Sequence, residues 1–310
     1  MLVLLLGCSL SSFAADGGKP VSLDEAIHIA LENHPRLKMA TAEISRARAT
    51  RGEIWDGGST SFSYSWGQLN GEYRNDHELS VEQSLGSLLT PFYKNALVNR
   101  QVETGTFYRK IVEKEVVAEV KRAWAYYLYA CNLRALYSDQ NKLAGQLQRM
   151  GELRYQQGEI TLLEKNMTTS MAVDMKNRLF QAQEEEKLAL SRLNWVCYAD
   201  RPLIPADTAL ILFPVDYQVP SFSEVHLNYF QSQANEAKAQ LNVERSRFFP
   251  ELSFGYVRQD ILPLKGLNSW MVGVSFPVYF LPRHSKIKQA KVAAVIARTE
   301  AEANTQNLYN

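Results

Sequence analysis

The chain has 310 residues, a formal net charge of +1, 46% hydrophobic residues and 22% charged ones. That balance belongs to a folded protein rather than a disordered one, and near-neutrality removes any global attraction to nucleic acid or anionic lipid. No stretch reaches the roughly 18–20 unbroken apolar residues of a membrane-spanning helix, so crossing a membrane would require strands closed into a barrel.

The chain opens MLVLLLGCSLSSFAADGGKP. The apolar run Leu2–Leu6 leads into small residues, with Ser12 and Ala14 in the pattern of a signal-peptidase site, so 1–14 reads as an export signal. The alternative is a lipoprotein signal ending before Cys8, with a lipid on that cysteine; Leu6 is unusual before the glycine of such a box, which favours cleavage after Ala14. A buried N-terminal strand is the third alternative. Three cysteines make no disulfide framework. Cys131 and Cys197 lie in helical sequence as packed thiols, too far apart along a helical hairpin to bridge.

A first helix is predicted over 22–51, opened by the Ser22–Glu25 capping box and interrupted at Pro35. The alternation in STSFSYSW, 59–66, predicts a strand over 60–69, and a second follows over 78–85 after the turn sequence NGEYRND. Thr90-Pro91 starts a helix that continues to about Tyr155. Val112, Val116, Val120, Trp124 and Leu128 recur in it at steps of four. Such a stripe drifts about 40° per step and spirals, which suits a helix with neighbours on more than one side. QQGE, 156–159, breaks the pattern, and a helix over 161–198 carries Leu163, Met167, Met171, Met175 and Leu179 at the same step.

Four prolines in 199–221 exclude a single helix there. Helix resumes over 223–249. Two alternating stretches follow, with Leu252, Phe254 and Tyr256 on one face of the first and Trp270, Val272, Val274, Phe276 and Val278 on one face of the second. Pro282 marks a last helix. The order helix, strand, loop, strand, proline, helix therefore occurs twice, at 22–110 and 223–310. This predicts a first structural repeat over 22–222 and a second, incomplete one over 223–310. The shortened second copy carries the expectation of a chain lacking roughly 80–110 C-terminal residues. Each leg of the predicted hairpin is about 97 Å long at 1.5 Å per residue.

Strands of nine or ten alternating residues match a tilted bilayer crossing. On that reading Phe62, Tyr64, Trp66, Phe254, Tyr256, Trp270 and Phe276 face lipid, while Ser, Gly and Glu line water. An ordinary small sheet packed on helices gives the same alternation. Four strands cannot close a barrel, for which about eight is the minimum, so a membrane reading obliges several copies to share one.

These residues carry a resemblance. SLDEAIHIALENHPRLKMA is similar to the opening helix of the TolC family of outer-membrane efflux channels, and RYQQGEITLLE, 154–164, resembles its periplasmic tip turn. ERSRFFPELSFGY and WMVGVSFPVYF resemble the strands of its second repeat. The likeness spans nearly all of 20–310. It implies a mainly α fold with four β-strands, in which a long antiparallel helical hairpin forms a periplasmic tunnel and three protomers share a twelve-stranded barrel. It further implies an outer-membrane channel in a tripartite efflux system, with a periplasmic adaptor, an inner-membrane transporter and outer-membrane lipid as partners, and no nucleic acid. Arg154, Tyr155, Gly158 and Thr161 are the implied adaptor contact, alongside the plainer reading of a hairpin turn. SLGSLLTPFYKNAL, 84–97, resembles the CusC/CzcC-like branch, which exports heavy-metal cations.

Met167, Met171 and Met175 form a soft-ligand stripe on paper, but Met at helical spacing is usually packing, and no metal site is assigned. His28, His34, His77, His226 and His284 stand at no helix-ligand spacing and read as surface or packing residues. No GxSxG, HExxH, CxxC or phosphate-loop pattern appears, so the reading has no catalytic residue and no cofactor. The run Glu184–Glu186 reads as a solvated face. The rival function is a soluble periplasmic coiled-coil scaffold without a pore. The two part on whether the strand aromatics lie open or under a helix-covered core.

Overall fold

The computed structural model describes residues 20–55, 57–68, 76–199, 201–206, 221–261, 264–276 and 280–309. The export segment, with Cys8, and Val278 lie outside the described residues. In chain order the elements are β1 (Pro20–Val21), α1 (Leu23–Asn33), α2 (Pro35–Ala49), a short 3-10 turn (Thr50–Glu53), β2 (Thr60–Gly67) and β3 (Asp76–Gly86). Then come α3 (Thr90–Gln156), α4 (Leu162–Cys197), β4 (Ile204–Pro205), α5 (Ser221–Ser246), β5 (Glu251–Ile261), β6 (Leu264–Ser275) and α6 (Phe280–Tyr309). No described helix is long and apolar enough to cross a membrane.

The chain divides into two compact units: residues up to Pro35 with Glu113–Val215, and Arg36–Val112 with Asp216–Asn310. In the first, Ser22 caps α1 through the predicted box, its hydroxyl accepting from the Glu25 N–H while the Glu25 carboxylate accepts from the Ser22 N–H at 2.9 Å. Pro35 splits the predicted helix after His34, whose ring packs edge-on against Tyr198 at 4.9 Å. β1 and β4 form a two-residue parallel pair. α4 runs antiparallel to α3: Tyr126 donates to Glu185 at 2.7 Å, Cys131 to Glu186 at 3.4 Å, and Lys165 pairs with Glu152 at 2.8 Å.

The core of this unit collects Ala26 and Ala30 of α1, Val116, Val120, Trp124 and Leu128 of α3, and Leu193, Val196 and Cys197 of α4. Cys131 and Cys197 are free and buried. One expectation needs correction. Only Glu184 belongs to the solvated face, because successive helical residues are 100° apart; Glu185 and Glu186 turn toward α3, and Glu186 also pairs with Arg134 at 2.5 Å.

In the second unit Leu37, Ala40 and Ile44 of α2 are buried, Ile44 lies against Gly105 of α3, where a Cβ would stand 3.0 Å from it, and α5 lies against α6. Thr90 at the head of α3 donates to the Ser246 carbonyl at the end of α5 at 3.3 Å. α5 ends at Ser246, three residues short of the predicted boundary, where Phe248 and Phe249 continue as a turn into β5. The four long strands form one antiparallel sheet in the order β2-β3-β5-β6. β2 and β6 are its edges, each hydrogen-bonded on one side among the described residues.

Candidate functional site

Two places carry the residues that the sequence singles out. The first is the turn between α3 and α4. The Glu159 N–H donates to the Arg154 carbonyl at 2.9 Å and the Gly158 N–H to the Tyr155 carbonyl at 3.0 Å. This crossed pair is a Schellman motif, and its left-handed residue is Gly158 at φ +74°. A side chain there would meet a conformational penalty, which accounts for glycine at this place.

Three residues on, Thr161 caps α4. Its hydroxyl accepts from the Glu164 N–H, and its own N–H donates to the Glu164 carboxylate at 2.7 Å. The N–H and hydroxyl of Thr161 hold the Glu164 carboxyl below the usual carboxylate range. Lys165 then locks the two helix ends together. Its ammonium pairs with Glu152 and sits 4.9 Å from the Tyr155 ring centre. Arg154 remains exposed, 3.7 Å from Glu159. One turn earlier Gly151 lets the helices touch, since a Cβ there would stand 2.6 Å from the Thr168 hydroxyl.

The four expected tip residues thus come together but divide by role. Gly158 and Thr161 shape the turn, Tyr155 is part-covered by a lysine, and Arg154 presents its guanidinium outward. Sequence reasoning missed Lys165, Glu152 and Glu164. The Thr161–Glu164 spacing was a readable capping box; the lysine lock was not readable, because it joins residues across two helices.

The second place is the sheet. Opposed residues in antiparallel register share a face. Phe62 opposes Val81, Val81 opposes Tyr256, and Tyr256 opposes Trp270; Gln83 opposes Phe254. Alternation then puts Phe62, Tyr64, Trp66, Phe254, Tyr256 and Trp270 on one face, drawn from three strands. Phe276 lies just past the end of β6 in the same alternation. The rings touch: Tyr256 and Phe254 lie 4.9 and 5.3 Å from Trp270, and Tyr64 lies 5.9 Å from Trp66. Phe62, Trp66 and Trp270 are 73%, 72% and 69% exposed, so no described helix covers this face there.

The opposite face carries Ser61, Ser63, Ser65, Glu78, Ser80, Glu82, Ser253 and Gln259, by the same register. Its groups bind one another across strands: Ser63 to Ser80 at 2.6 Å, and Gln259 to Glu78 at 2.5 Å. The sheet is therefore mainly aromatic on one side, where Gln83, Arg258 and Asn268 also stand, mainly hydroxylated and acidic on the other, where Val257 and Met271 also stand, and open at both edges among the described residues.

The similarity to solved structures follows this geometry. CusC, a protein that forms a transmembrane channel, matches with a TM-score of 0.73 and 16% identity over 96% of this chain and 76% of its own. The outer-membrane protein VceC of Vibrio cholerae matches at 0.70 and 14%, over 92% of this chain and 75% of its own. The outer-membrane channel CmeC of Campylobacter jejuni gives 0.70 and 13%, over 92% and 68%. The fold is that of outer-membrane channels. No protein-family model and no curated protein matches the sequence.

Proposed function

We propose that the chain is the outer-membrane channel of a tripartite efflux system, carrying small molecules or metal cations from the periplasmic side to the exterior. The observation that carries this reading is the uncovered aromatic face of a sheet that is open at both edges. A bilayer accepts an aromatic face but not unpaired strand edges. Joining β2 of one copy to β6 of the next satisfies both edges, and three copies give twelve strands, enough to close a barrel.

In that assembly Phe62, Tyr64, Trp66, Phe254, Tyr256, Trp270 and Phe276 face lipid, and the serines and glutamates of the other face line water. The repeats over 22–222 and 223–310 each contribute one hairpin. The tip turn, with Arg154 outermost, meets the periplasmic adaptor, and an inner-membrane transporter supplies the energy. A duct of this kind works by a wetted lumen and a mouth that opens, without catalytic groups. The structures it resembles are channel proteins rather than enzymes. Residues 1–14 direct export, with Cys8 as the lipidation alternative.

The soluble-scaffold reading needs the strand aromatics under helices, and they lie open. The test is to express the chain in a double-membraned bacterium and fractionate it. A channel subunit stays with the outer membrane through carbonate washing and migrates as a trimer when unboiled. A soluble monomer in both assays would reject the reading.

A further inference from the structure

Within the second unit, where the strands meet the helices, lies a cavity of about 1090 Å³. Arg51, Lys94, Arg247, Arg283 and Lys286 line it, against Glu244 and Glu251 as the only carboxylates among the described residues of the lining. Five cations facing two anions leave an excess of three positive charges, in a chain whose formal net charge is +1.

Most of that charge has no counterpart among the described residues. Glu244 pairs with Arg247 at 3.5 Å. Arg51 donates to the neutral Asn99 side chain at 2.9 Å, and Arg283 to the Arg247 carbonyl, so neither is neutralised by its bond. Lys94 and Lys286 carry no ion pair among the described residues. The Ser87 hydroxyl oxygen in the same wall is buried without a hydrogen-bond partner among the described residues. The first turn of the 67-residue α3, Thr90 to Phe92, also opens on the cavity and adds the positive end of its dipole.

These groups complement an anion that offers several acceptor oxygens at once, which a phosphate does and a single carboxylate does less fully. Beside the cations stand Trp55 and Phe92, 67% and 72% exposed. An aromatic pair next to cations suits a ligand that is ionic at one end and apolar at the other. Ser87, Phe92 and Lys94 all come from SLGSLLTPFYKNAL, a stretch that the channel reading leaves without a task.

We propose that this cavity binds a phosphate-bearing anion, and that its flanking aromatics favour the headgroup of an acidic phospholipid over free phosphate. Only the lipid source rests on the membrane reading; the anion site does not.

The full chain, purified in detergent, is titrated with inorganic phosphate and, separately, with micelles of phosphatidylglycerol or of zwitterionic phosphatidylcholine, reading thermal shift and lipid adducts by native mass spectrometry. Phosphatidylglycerol is expected to bind and stabilise, and Lys94→Gln/Lys286→Gln to weaken it by about 30-fold, the effect of two cations at a lipid surface. Lys94→Arg/Lys286→Arg, which keeps the charge, should restore binding and exclude misfolding as the cause. Lysine-dependent binding of inorganic phosphate without preference for phosphatidylglycerol keeps the anion site and removes the lipid source. Equal responses of the wild type and the Gln variant to every ligand overturn the proposal. Outer-membrane fractionation of the same variants stands apart, since loss of membrane association by the wild type would reject the channel reading and leave the anion site standing.

Discussion

Val112, Val116, Val120, Trp124 and Leu128 of α3, and Leu163, Met167, Met171, Met175 and Leu179 of α4, repeat at the same step of four. The first five are buried; Leu163, Met167 and Met171 of the second are exposed, Met167 at 63%. Period decides which side of a helix is apolar and says nothing of what covers it. α3 shares its core with α1 and with the far end of α4, where Leu193, Val196 and Cys197 are buried too. Toward the tip the contacts are those of α3 with α4, from Gly151 to Thr168 and from Glu152 to Lys165. A pair of helices always leaves an outward side on each, and bundles need further helices to cover it. In the proposed trimer, neighbouring copies do so.

The contrast makes a graded set of expectations. Trp124→Ala, at a fully buried site, should destabilise the chain by about 3–5 kcal/mol in a urea melt. A loss under about 1 kcal/mol would mean that the buried stripe is not core. Next comes alkaline pH. Burial pushes the Cys197 thiol up to about 11 from 9.0. A raised thiol pKa stabilises fully below the unfolded value and is lost as pH rises through the folded one. Stability should therefore fall by on the order of 2 kcal/mol between about pH 9 and 11, and Cys197→Ala should flatten that slope.

Smaller again is the turn that pairs the two helices. Gly158→Ala should cost about 1–2 kcal/mol, because its φ of +74° disfavours a side chain. Thr161→Ala should cost about 1 kcal/mol through the lost cap. A neutral result at Gly158 would show that the turn opens freely. The smallest change in monomer stability is expected from the exposed stripe. Leu163→Gln, Met167→Gln and Met171→Gln should each stay within about 0.5 kcal/mol, yet together they should abolish the trimer by gel and light scattering. Unfolding of the triple variant would place the stripe in a core that the chain makes by itself.

Local signals were the legible ones. Ser22 with Glu25, Pro35, the Gly158 break and the strict alternation of β2 each name their own structure within a few residues; β6 instead begins at Leu264, six residues before the stretch that marked it, and the two-residue strands β1 and β4 carried no signal. The alternation along the strands also marked the large aromatics as sharing a face. Pairings across elements were not legible. Nothing local marks Lys165 as the partner of Glu152 and Tyr155, or Glu186 as the partner of Arg134, because those meetings depend on how two helices rotate against each other. The cationic cavity is the extreme case, gathering five charges from residues 51 to 286.

The two unpaired edges of the sheet have a genetic consequence. If each copy must close a seam with both neighbours, a subunit with a faulty β2 or β6 spoils every ring that it joins. A cell making equal amounts of normal and faulty chain would hold only roughly one intact trimer in eight. Lesions in either edge strand should therefore be dominant, while lesions confined to a single chain's interior, such as Trp124→Ala, should be recessive because a destabilised chain is largely removed before it enters a ring.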